Sequence, residues 1–235
     1  MMVVFAAGCS TSGERTLIRA SISPGEASRS GGAGSNVPDT DTDLGRLTVE
    51  HVIGDGVGVG FRGSAYGSRW GVAEGSSTST TSLAHLSLYP HLMFLGSADP
   101  VRIPIRLGPE FRRHDVNLGT GAGGESKYRG YGVAAEIEPE WTFARSDDFA
   151  ASVFGRLHVG AGLAAIDGFM QDDTTHATNF EGEVGIRLQA SVVSISFGVL
   201  GQETRYGASG EDNGARIAAA DFNFRGVFFS LGAVW

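Results

Sequence analysis

The chain has 235 residues, a formal net charge of −8, 41% hydrophobic residues, 36 glycines and 7 prolines. That much glycine disfavours long helices, and no apolar run approaches the roughly 18 residues that a transmembrane helix needs, so a helical membrane protein is excluded. The negative balance argues against nucleic acid as a partner, but neither test touches membrane-spanning β-strands, in which every second residue may be polar.

Residues 1–9, Met-Met-Val-Val-Phe-Ala-Ala-Gly-Cys, end on the chain's single cysteine, so no disulfide can form within the chain. The stretch resembles the end of a signal peptide plus a lipoprotein cleavage box, which implies acylation of Cys9. It departs from that pattern in having no basic residue before the apolar run and Ala6 where leucine is usual, and a chance cysteine is the other reading. Residues 10–43 are rich in Ser, Gly, Thr and Asp and read as a flexible tether.

Residues 44–235 alternate apolar and polar positions in runs separated by turn formers, which predicts eight antiparallel strands. The first carries Leu47, Val49, Ile53, Val57, Val59 and Phe61 as one kinked strand, in preference to a hairpin at Asp55-Gly56 that would add a ninth. The next four carry Ala84 to Phe94, Val101 to Phe111, Tyr131 to Phe143, and Phe149 to Leu163. The sixth and seventh carry Phe180 to Leu188 and Val193 to Val199; a one-residue phase change at Ala190, Ser191 and Val192 marks a tight turn between them, or a bulge. In the eighth, Val227, Phe229, Leu231, Ala233 and Trp235 share one face. Short links at 96–100 and 144–148 alternate with long polar ones at 67–82, 114–127, 167–178 and 205–219.

Two patterns point the apolar face outward. Its aromatics sit at the strand ends: Phe94, Trp141, Phe143, Phe149 and Trp235 near the short turns, and Phe111, Tyr131 and Phe180 near the long links. The other face carries a nearly balanced set of charges, Arg102, Arg106, Glu110, Arg112, Glu136, Glu138, Glu140, Arg156, His158, Glu181, Glu183, Arg187 and Arg225, which paired in a narrow lumen would form an ionic core. The terminal strand resembles the C-terminal signature read by the outer-membrane assembly machinery. Residues 44–235 as a whole resemble small bacterial outer-membrane β-barrels of the OmpA and OmpX type, an eight-stranded up-and-down fold. That resemblance implies an outer-membrane location among lipid and lipopolysaccharide, no open solute pore, and a structural role presenting external loops to a partner.

No metal spacing, phosphate loop or nucleophile elbow stands out, so neither cofactor nor metal is expected, and no enzymatic activity. Two alternatives remain. One is a periplasmic lipoprotein with a soluble, lipocalin-like barrel around an apolar ligand. The other is a lipid A hydrolase using His85 with Ser82 or Ser87, or His114 beside Asp115. Asp172, Asp173, Glu211 and Asp212 are candidates for attracting divalent cations of lipopolysaccharide.

Overall fold

A computed structural model describes residues 15–31, 37–53, 56–74, 77–117, 125–168, 171–208 and 219–235. These form eleven antiparallel strands: β1 (Arg15–Gly31), β2 (Val37–Ile53), β3 (Val57–Glu74), β4 (Ser77–Ala98), β5 (Val101–Asn117), β6 (Glu125–Ile137), β7 (Glu140–Arg145), β8 (Phe149–Gly168), β9 (Gln171–Ala190), β10 (Val193–Tyr206) and β11 (Ala220–Val234). Each pairs with its neighbours in the chain except β6 and β7, which both pair with β5 and β8, and β1 pairs with β11, so that among the described residues the sheet closes on itself.

β6 and β7 are one stave. Both lie between β5 and β8 and keep a single register against them, Ile105↔Ile137 continuing as Val101↔Trp141. The break falls at Pro139, which has no N–H to donate to the ladder; Glu138 N still donates to Pro104 O (3.0 Å) and Gly155 N to Pro139 O (3.0 Å). Among the described residues the barrel therefore has ten staves, two more than the eight expected.

The two additional staves lie where the sequence suggested a tether and a single first strand. β1 and the first part of β2 occupy the 10–43 stretch, and the long first strand is divided at the rejected hairpin, where Gly56 takes φ +78° between β2 and β3. An L side chain rarely adopts that conformation, and a Cβ at Gly56 would stand 2.8 Å from Leu95 O. The composition misled because β1 fills its inward positions with Ser21, Ser23, Gly25 and Ala27 and needs only Ile18, Ala20 and Ile22 outward before its polar upper half begins. The phase change at Ala190 is a two-residue turn, Ala190 pairing with Val193 and Ser191 at φ 51°. Cys9 lies outside the described residues.

Most of the expected long links are strand. β3 continues to Glu74, β4 starts at Ser77, β8 runs to Gly168 and β9 starts at Gln171. The apolar alternation of the sequence stops in these stretches but the backbone ladder does not, and it pairs Glu74 with Ser77 and Gly168 with Gln171.

Following paired residues round the ring, Thr16, His51, Val59, Leu92, Leu107, Ala135, Val159, Phe180, Glu203 and Asn223, the path returns to β1 at Ser28, twelve residues above its start. With about 3.3 Å per residue and about 4.8 Å between strands, that stagger tilts the staves by about 40°, and each residue adds about 2.5 Å of height. On this scale an outward apolar band about 25 Å tall girdles the barrel. Ile105, Ile137 and Leu231 are 42%, 39% and 60% exposed, whereas Arg106 and Glu138 inside are each 3% exposed. Among the described residues no Asp, Glu, Lys or Arg points outward within the band. Outward charge begins at its upper edge, with Glu26, Asp43, Arg113, Glu203 and Arg225.

The filled interior as candidate functional site

Alternation sends every second side chain of each stave into the lumen. Seven glutamates and seven arginines form one ion-pair network there. Arg106 donates to Glu50 (Nη2 to Oε2, 3.1 Å), Glu136 (2.9 Å) and Glu138 (3.0 Å). Arg187 reaches Glu138 (2.7 Å) and Glu140, and Arg156 and Arg46 both grip Glu181 and Glu183. Higher up, Arg112 pairs with Glu110 (2.7 Å), which also meets His158 Nε2 (2.9 Å); Arg62 contacts Glu136 and His158. Equal numbers and shared hydrogen bonds make such burial tolerable, since each desolvated charge has a partner.

Of the residues expected in this network, Arg106, Glu136, Glu138, Arg156, Glu181, Glu183 and Arg187 are all buried within it. Arg102 stands apart, half-buried at the short-turn mouth. Arg225 is on the opposite face: it lies in phase with Val227 and Phe229, is exposed, and pairs with Glu26 and Asp39 (both 2.9 Å). Arg19, Arg46, Glu50 and Arg62 were not singled out. Arg19 lies in the stretch that read as a tether, whereas Arg46, Glu50 and Arg62 lie on the expected first strand, in the phase opposite to Leu47, Val49 and Phe61. Glycines make room: a Cβ at Gly60 would stand 2.4 Å from His91 Nε2, and one at Gly160 2.2 Å from Glu110 Oε2.

Above the ions the lumen is stoppered by rings. Tyr66, Tyr128, Tyr206, Phe222 and Phe224 are buried together with Leu44, Leu83 and Val116. His85 and His114 lie inside this stopper, Nδ1 of the one 2.9 Å from Nε2 of the other, and His114 Nδ1 is 2.9 Å from the Tyr206 hydroxyl. The hydrolase pairings are not assembled. Ser82 is on the outward face opposite His85, and Asp115 turns outward to Arg113 (2.8 Å) while His114 turns inward. Ser87 shares the inner face, but it and His85 are sealed in the lumen. A lipocalin-like ligand cavity is also absent among the described residues, because the band's apolar side chains face out and charges fill the middle. Asp172 and Asp173 lie on β9, and Glu211 and Asp212 fall outside the described residues.

On the outer surface Phe94, Trp141, Phe143 and Phe149 are exposed at the lower edge of the band, and Tyr131 and Phe180 at the upper edge. Phe111 packs beside Tyr131 at 5.1 Å between ring centroids. Trp235 is tied into the wall by reciprocal backbone bonds with Thr16 (2.8 and 3.1 Å).

Among solved structures the chain resembles the outer membrane protease OmpT of Escherichia coli at 10% identity and a TM-score of 0.47, covering 94% of this chain and 96% of that one. It also resembles the translocator domain of the autotransporter NalP of Neisseria meningitidis, at 12% identity and a TM-score of 0.45, over 94% and 88% of the two chains. A third is the outer membrane protein OprG of Pseudomonas aeruginosa, at 10% identity and a TM-score of 0.41, over 94% and 95%. No protein-family model and no curated protein sequence matches the chain.

Proposed function

We propose that this chain is a β-barrel of the bacterial outer membrane whose role is structural: a closed, filled cylinder that holds polar hairpins and loops outside the cell, without enzymatic activity and without an open solute pore. The carrying observation is the inversion of sides, an uncharged apolar band of about 25 Å outside and a balanced ionic network inside. A soluble barrel of this construction would expose to water the large side chains it should bury, far more than the few hundred Å² of contiguous apolar surface a monomer tolerates. Closure by β1 and β11, the ionic layer and the aromatic stopper all argue against a water-filled passage. On this reading lipid and lipopolysaccharide surround the band, the aromatics anchor its two edges, the terminal strand engages the assembly machinery, and the loops meet an extracellular partner.

The test is labelling of intact cells with a membrane-impermeant maleimide, using single cysteines in a Cys9→Ser background. Thr120→Cys and Asp212→Cys, in the long connections, should react, and Asp147→Cys, in a short turn, should react only after the outer membrane is permeabilised. Reaction of Asp147→Cys in intact cells with protection of the other two would reverse the orientation. A chain that stays monodisperse without detergent would sink the membrane assignment.

A further inference from the structure

The ionic network is neutral, yet the lumen is not uniformly so. At the short-turn mouth, below the network, lies a cavity of ≈ 320 Å³, within the size range of small-molecule sites. Five arginines line it, Arg15, Arg19, Arg102, Arg106 and Arg187, against three glutamates, Glu50, Glu138 and Glu140.

The carboxylates are already committed. Glu50 holds Arg106 and His91, Glu138 holds Arg106 and Arg187, and Glu140 holds Arg187 and the Ser152 hydroxyl. Arg106 and Arg187 are thereby satisfied. Among the described residues Arg19 is met only by one long ion pair, and Arg15 and Arg102 by none. Arg19 is 13% exposed at its side chain, its nearest carboxylate oxygen is that of Glu138 at 3.6 Å, and its buried Nε has no hydrogen-bond partner. Neither Arg15 nor Arg102 has a carboxylate within ion-pair distance among the described residues. In a chain with eight more acidic than basic residues, the described residues lining this one concave space thus carry two more arginines than glutamates. Guanidinium groups facing a half-enclosed cavity, with donors unused, are the chemistry that grips an oxyanion through charge-assisted hydrogen bonds.

We propose that this cavity binds a small dianionic oxyanion, a phosphate monoester or a dicarboxylate, held by Arg15, Arg19 and Arg102 with Gln189 and Ser194 at its wall. The site rests on the barrel interior and not on which way the barrel faces, so its failure leaves the membrane reading intact.

The test uses the full chain folded in neutral maltoside micelles, with folding verified by heat-modifiable gel migration, and equilibrium dialysis against inorganic phosphate, glycerol 3-phosphate and succinate in turn. Saturable uptake of one equivalent per chain is expected for at least one probe, weakened by added chloride. A preference for glycerol 3-phosphate over succinate assigns a phosphate ester; the reverse assigns a dicarboxylate. Arg15→Gln with Arg102→Gln removes the charge excess at the exposed rim without touching the ionic core, and should weaken binding by at least about tenfold, the effect of losing one to two charge-assisted contacts. Arg19→Gln should do the same where it folds. Absence of saturable binding for all three probes, or unchanged affinity in the folded Arg15→Gln/Arg102→Gln chain, overturns the proposal.

Discussion

Arg106 shows what a single side chain does inside this barrel. It neutralises Glu50, Glu136 and Glu138 at once, and all four groups are buried. Replacing it with Met keeps the approximate volume and removes the only strong partner of several desolvated carboxylate oxygens. Breaking a buried ionic group in this way costs about 3–5 kcal/mol, mainly from the stranded charges. Arg106→Met should therefore lower the urea midpoint of refolded chain in lipid vesicles by that amount, whereas a change under about 1 kcal/mol would mean that water reaches the network. Arg225→Ala is the contrast: its partners Glu26 and Asp39 lie in solvent, and its removal should leave the midpoint unmoved. At this scale the sequence was informative for β5 to β9, because Arg106, Glu136, Glu138, Arg156, Glu181, Glu183 and Arg187 sit between clear apolar positions. It was silent about Tyr66, Tyr128, Phe222 and Phe224, whose aromatic rings look like candidates for the outside until the register turns them inward.

At the scale of a stave, the band decides which positions tolerate charge. β9 shows both regimes on one face: Val184, 58% exposed, lies near mid-band, and Thr178 lies above Phe180, beyond the upper edge. Val184→Arg should destabilise the folded barrel by about 2–4 kcal/mol, and Thr178→Arg by no more than about 1 kcal/mol, since the penalty on a lipid face depends on depth. Equal effects at the two positions, measured by the same urea titration, would refute a lipid-facing band. The same depth dependence explains what could be read beforehand. Alternation marked each strand only where the band demanded apolar residues; beyond it the ladder continued through Ser, Thr and Gly, and β3, β4, β8 and β9 extended into stretches that looked like loops.

For the whole molecule the decisive number is ten, and it follows from closure. The eight runs legible between residues 44 and 235 hold enough apolar alternation to suggest a complete cylinder, because the sequence shows strands but not which strand meets the last one. That partner is β1: Leu17 to Ile22 pair with Val234 to Phe229, and Gly25 to Gly31 continue up β11. A chain beginning at residue 44 would lose all of β1 and the upper half of β2. Its β11 would present an open row of N–H and C=O groups to the hydrocarbon, where each unsatisfied group costs several kcal/mol. It would also lose Arg19, one of the seven cations that balance the lumen. The residues 44–235 fragment should consequently give no heat-modifiable band and no protease-resistant core in vesicles, while a fragment starting at residue 15 should give both. A folded, protease-resistant 44–235 fragment would mean that nine staves close without β1, and that the twelve-residue stagger between Thr16 and Ser28 is not what sets the barrel's width.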